Sequence, residues 1–154
     1  MDELKLIIEN IKNQNLDDAL EQCQKYENIK NRHLIYNIKG VIFSKKNQID
    51  LSETFFLKSH YIESNFEDPI KNLYLIYLKK GNVGAAIDFA KKLYKLNVSN
   101  DLYNYYLAYA YELQNNDHEA INYYKSCIEL NGPNKIKALN NIGGLYLRNN
   151  KTKT

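Results

Sequence analysis

Tryptophan is absent from this chain, and helix breakers are scarce, with two prolines and six glycines in 154 residues. Little in the composition forces a helix to stop. Cysteine is nearly as rare. Cys23 and Cys127 form no CxxC motif and no Cys/His cluster, which excludes zinc-site and thioredoxin-like readings. They read as small apolar core residues in a reducing compartment. No apolar run approaches the roughly 18 residues of a membrane-spanning helix. The opening stretch MDELKLIIENIKNQ carries acids where a signal peptide needs positive charge. A soluble, cytoplasmic protein is therefore expected, with no membrane partner. Charge of one sign is also missing. The 21 basic and 18 acidic residues leave a net +3, too balanced for the clustered basic face that nucleic acid requires. No nucleic-acid partner is expected.

What remains is rich in Leu, Ile, Lys, Asn and Tyr, a bias that an AT-rich genome produces, and the length suits one domain with its own core. The informative feature is an interval. Small residues follow successive polar turns at Ala19, Ser52, Ala86 and Ala120, spaced by 33, 34 and 34 residues. Twelve residues before each stand Ile7, Gly40, Tyr74 and Ala108, and Gly143 lies 35 residues after Ala108. Two side-chain patterns repeat with that spacing. The first reads Ile142-Gly143-x-x-Tyr146, Leu107-Ala108-x-x-Tyr111, Leu73-Tyr74-x-x-Tyr77 and Lys39-Gly40-x-x-Phe43. The second reads Ala120-x-x-x-Tyr124, Ser52-x-x-x-Phe56, Ala86-x-x-x-Ala90 and Ala19-x-x-x-Cys23. A small residue lets two helix backbones approach, and an aromatic one turn away fills the space beside them.

Helix-end chemistry supports the division. Asp68 is expected as an N-cap before Pro69 at the first helical position. Asp50-x-x-Glu53 and Asn116-x-x-Glu119 have capping-box spacing. The resulting map has nine helices, near 2–13, 16–28, 32–46, 50–64, 69–80, 83–97, 101–114, 118–131 and 135–149.

An interval near 34 built from two helices, with these patterns in register, resembles the tetratricopeptide repeat (TPR) family over nearly the whole chain. The resemblance implies an all-α fold, a right-handed superhelical stack of antiparallel helix pairs. Pairs fall near 1–31, 32–65, 66–99 and 100–134, followed by an unpaired helix near 135–149 and a polar tail at 150–154. Together 1–150 form one domain. The chain departs from the family pattern where Tyr74 stands in place of a small residue.

Chemistry-bearing constellations are missing. His33, His60 and His118 fall in different repeats with no ligand partner at metal spacing. No phosphate loop, nucleophile elbow or HExxH motif occurs. The expectation is no enzyme activity and no cofactor or metal.

The family resemblance implies a groove lined by the first helix of each pair, which takes an extended peptide or a helix from a partner protein. By spacing, Asn37, Val41, Ser44 and Lys45 face it from the second pair, and Lys71, Asn72, Leu75, Leu78 and Lys79 from the third. Tyr105, Tyr109, Glu112 and Leu113 follow, then Asn140, Asn141, Gly144, Leu147 and Arg148. Tyr105 and Tyr109 are the expected aromatic anchors, with Lys45, Lys71, Lys79 and Arg148 around them. Those cations suit an acidic or C-terminal carboxylate ligand, or they simply solvate an exposed face. Tyr103, Tyr106 and Tyr111 are expected between helices. The Lys/Asn/Arg clamp of chaperone-binding TPR domains is not reproduced, since Tyr105-Tyr106 interrupts it. The Asn ladder of sugar-transferase arrays is broken at Ile38 and Tyr106, although Asn72 and Asn141 fit it.

The leading expectation is a bacterial protein-binding scaffold. A second is the N-terminal recognition module of a larger enzyme such as a glycosyltransferase or sulfotransferase, because the helix at 135–149 repeats half of the motif without its partner. A pentatricopeptide-type RNA binder fits the spacing and charge less well. Self-association through the last helix is compatible with any of these.

Overall fold

The computed structural model describes residues 2–26 and 31–151. Among these residues are nine α-helices and no strand: α1 (Asp2–Lys12), α2 (Leu16–Lys25), α3 (Arg32–Lys45), α4 (Ile49–Ile62), α5 (Glu67–Lys79), α6 (Val83–Leu96), α7 (Asp101–Leu113), α8 (Asp117–Glu129) and α9 (Lys135–Lys151). The expected number and order of helices are present. Residues 27 and 28, expected in α2, lie outside the described residues, as do 1, 29 and 30 of the first pair and 152–154 of the tail. The last helix continues to Lys151, past the expected end at 149.

The interval seen in the side chains is also written in the backbone. Left-handed residues close α1, α3, α5 and α7 at Gln14, Asn47, Gly81 and Asn115, with φ of 65°, 58°, 71° and 61°. They recur at the same 33, 34 and 34 residues as the small positions, so each pair turns by the same αL cap. Asn and Gly tolerate that region best, which explains the Asn-rich turns. At the other ends Asn82, Asn100 and Asn116 cap α6, α7 and α8, their side chains accepting from Ala85, Leu102 with Tyr103, and Glu119 backbone N–H groups. Two expected caps move. α4 begins at Ile49 with Gln48 before it, so Asp50 sits in its first turn beside the N-terminal dipole instead of at the N-cap. α5 begins at Glu67, which places Asp68 and Pro69 inside the first turn. Pro69 is tolerated there because the first four N–H groups have no intrahelical partner anyway.

The chain packs as two compact units, Met1–Ile76 and Tyr77–Thr154, divided within α5. In the first, Ile7, Ala19, Cys23, Ile35 and Ile42 form the buried cluster of α1, α2 and α3. α3 and α4 then lie against each other at Gly40, where an added Cβ would stand 2.6 Å from two ring carbons of Phe56. Burying a ring of that size contributes about 1.5–3 kcal/mol. Ser52 and Ser59 are small enough for the same contact, and their buried hydroxyls donate to the Gly40 and His33 carbonyls at 2.8 and 2.7 Å. In the second unit Ala108, Ala120, Tyr124, Cys127, Ala138 and Leu145 form the cluster of α7, α8 and α9. Ala19, Gly40, Ser52, Ala108 and Ala120, read from the sequence as small packing positions, thus lie at helix contacts, whereas an added Cβ at Gly143 meets nothing within 4 Å.

Candidate functional site

In the second unit, first-type helices α7 and α9 flank second-type helix α8. Tyr105 and Tyr109, one turn apart on α7, are half-buried, with ring centroids 6.2 Å apart and planes 3° from parallel. Tyr105 also leans on Tyr124 of α8, with centroids 5.7 Å apart. Beneath this pair lies a polar network. The buried Tyr124 hydroxyl donates to Glu112 Oε2 at 2.7 Å, and Asn141 Nδ2 of α9 reaches Tyr124 Oη at 2.6 Å and Glu112 Oε2 at 3.4 Å. A buried phenol needs such a partner, because an unsatisfied hydroxyl costs about 1–3 kcal/mol.

The network sets the protonation behaviour of the rings. Burial pushes the Tyr124 phenol well above its ordinary value, with the Asn141 hydrogen bond opposing and the Glu112 hydrogen bond and charge adding to the rise. Burial likewise raises Tyr105, against a hydrogen bond from Asn141. Cys127 is pushed up to about 11 by burial, with the Asp101 charge adding to it, so it stays a neutral thiol at physiological pH and a poor nucleophile. Among the described residues no group of three or more His, Cys, Asp or Glu is placed to hold a metal ion. Nor, among them, is any helix long and apolar enough to cross a membrane.

Of the expected groove residues, Tyr105, Tyr109, Glu112 and Asn141 come together. Asn140 is exposed on α9 beside them. Arg148 pairs with Asp117 of α8, and Lys79 is exposed at the end of α5. In the first unit, Lys71 pairs with Asp68 one turn earlier at 2.9 Å, Asn72 is half-buried, and Leu75 and Lys45 are exposed. Asn37 is half-buried, its Oδ1 without a hydrogen-bond partner among the described residues. Two of the four expected cations, Lys71 and Arg148, are therefore already engaged by carboxylates. Tyr103 is buried, and Tyr111 stacks on Tyr123 with centroids 5.8 Å apart, as packing residues.

Sequence reasoning gave Tyr124 only a packing role. Its hydroxyl was the available signal, since a tyrosine at a buried small-to-aromatic position implies a polar partner within reach. Also unanticipated is a cleft of about 800 Å³ in the first unit, lined by Arg32, Tyr36, Leu57, Lys58, Tyr61 and Ile62 of α3 and α4.

Residues 103–134, covering α7 and α8, match the family model of the tetratricopeptide repeat. No curated protein matches the chain. Among solved structures, MamA 41-end from Desulfovibrio magneticus RS-1 superposes with a TM-score of 0.83 at 16% identity, covering 98% of this chain and 85% of that one. A MamA RS-1 ArsTM double mutant gives 0.84 at 16% identity over the same shares. The first TPR of Spaghetti (RPAP3), bound to the HSP90 peptide SRMEEVD, gives 0.68 at 19% identity, covering 75% of this chain and 91% of that one. At these identities the likeness is one of fold.

Proposed function

We propose that this chain, which has the tetratricopeptide-repeat fold, is a non-catalytic scaffold that holds an extended peptide of a partner protein on the α7–α9 face of its second unit. The observation that carries this reading is the stacked, half-exposed Tyr105–Tyr109 pair set over the Glu112–Tyr124–Asn141 network. Flat rings give large contact area at little conformational cost, and they are held rigid here by their packing. Tyr124 and Asn141 both bond Glu112 through Oε2, so the proposed ligand donor is directed to Oε1. The ligand that fits is a peptide with an apolar side chain against the tyrosines and an amide or cationic donor toward Glu112. With Lys71 and Arg148 already paired, the acidic ligand suggested by the lysines is the less favoured choice. One solved relative in fold holds a peptide, which supports a peptide ligand without identifying it.

Panning a phage-displayed random peptide library on the purified chain tests the proposal. Selected peptides should lose about tenfold or more in affinity on Tyr109→Ala or Asn141→Ala, with far-UV circular dichroism unchanged. Selected peptides that bind both variants as tightly as the wild type would refute it.

A further inference from the structure

The two units reuse one docking rule, and among the described residues α9 leaves its half of it open. On α3, Tyr36, Gly40 and Phe43 receive the adjacent rings of α4. Phe55 lies 5.9 Å from Tyr36 and 5.3 Å from Phe43, and Phe56 covers Gly40. On α7, Ala108 and Tyr111 receive Tyr123 and Tyr124 of α8 in the same way. The matching positions on α9 are Leu139, Gly143 and Tyr146. An added Cβ at Gly143 meets nothing within 4 Å, and Leu139 and Tyr146 are 47% and 45% exposed. Ile136 and Leu147, 71% and 66% exposed, extend the stripe at i, i+3, i+7, i+10 and i+11, which is one face of a helix. The opposite face of α9 carries buried Ala138 and Leu145 against α8, so the helix is apolar on two sides.

We propose that this open face is a docking slot for an amphipathic helix of a partner protein, bearing an adjacent aromatic pair that seats over Gly143. Charge selects the occupant. With Arg148 taken up by Asp117, α9 still carries Lys135 and Lys137 and no acid, so a helix with acidic flanks is favoured, whereas α9 against a second α9 would bring like charges together. The slot is separate from the α7 tyrosines, and its test leaves the peptide-groove reading untouched.

The chain's own α4 supplies a probe. A labelled peptide of residues 49–64, IDLSETFFLKSHYIES, carries the pair Phe55-Phe56 with more acids than bases. Fluorescence anisotropy should show saturable binding to the intact protein, weakened by salt. Gly143→Leu fills the slot at a position with no neighbour to clash, and should weaken binding about tenfold or more. Leu147→Glu should do the same, as should a peptide with Phe55→Ala and Phe56→Ala. Absence of binding, or binding indifferent to Gly143→Leu and Leu147→Glu, would overturn the proposal. So would a dimer of the protein alone, seen by light scattering and dispersed by Gly143→Leu, which would assign the face to a second copy.

Discussion

Gly40 and Gly143 occupy one repeat position in opposite circumstances, and substituting alanine at each separates local propensity from packing. In a helix interior, Gly→Ala stabilises by about 0.5–1 kcal/mol when the new methyl has room. At Gly143 nothing lies within 4 Å of that methyl, so the gain should appear in full. At Gly40 the methyl would stand 2.6 Å from two carbons of the Phe56 ring, an ångström inside the optimal carbon–carbon separation of about 3.5–4.0 Å. The ring is 1% exposed and has no solvent to retreat into. The Ser52 hydroxyl bonded to the Gly40 carbonyl ties α4 to the same spot. Overpacking of this kind costs about 1–3 kcal/mol. Because propensity cancels between the two variants, the difference in their stability changes should be that overpacking cost. Urea unfolding of both variants against the wild type measures it, with Phe56→Leu added to Gly40→Ala as a relief mutation that should recover part of the loss. If Gly40→Ala stabilises as much as Gly143→Ala, the close helix approach ascribed to Gly40 is wrong.

Three further outcomes follow from the second unit and its site. The raised Tyr124 phenol stays neutral in the folded state, so its contribution is intact below the unfolded tyrosine value near 10 and is lost as pH rises beyond it. Alkaline denaturation monitored at the tyrosinate band should therefore be cooperative, and Tyr124→Phe should flatten the pH dependence of stability above about pH 10. A flat profile in the wild type would contradict the burial. Asp101 accepts from the Asn134 backbone N–H at 2.8 Å and from its side chain at 3.0 Å, clasping the turn before α9. Asp101→Ala should cost about 1–2 kcal/mol, read by thermal unfolding, and no loss would show that the clasp is incidental. The HSP90 peptide SRMEEVD, held by a structural relative, should not bind measurably in calorimetry, because Tyr105-Tyr106 stands where the chaperone clamp has its asparagine. Micromolar binding would show that specificity had been misjudged.

The repeat was legible because close helix packing leaves a periodic residue in sequence: Gly40, Ala86, Ala108 and Ala120 are all buried at the register positions. The αL caps were less legible, since Gln14 adopts a conformation that its identity does not advertise. Cap positions drifted for a related reason. Asp50 and Asp68 are good caps by type, but each stands two residues too far into its helix, where the dipole favours an acid equally well. Of the candidate site, spacing gathered Tyr105, Tyr109, Glu112 and Asn141 on facing helices. The engagement of Lys71 and Arg148 by Asp68 and Asp117 was not anticipated. The Lys71–Asp68 pair was open to view, since residues three apart share one face of α5, but the Arg148–Asp117 pair depends on side-chain reach from α9 to α8, which periodicity along one helix does not encode. The Tyr124 hydroxyl was hidden for the same reason.

The most direct test of the scaffold account is an amide chemical-shift map of the labelled protein titrated with a peptide selected by panning. The account predicts that the perturbed residues cluster on Tyr105, Tyr109 and Glu112 of α7 and Asn141 of α9. Perturbations confined to the α3–α4 cleft around Tyr36 and Tyr61, with α7 silent, would contradict it.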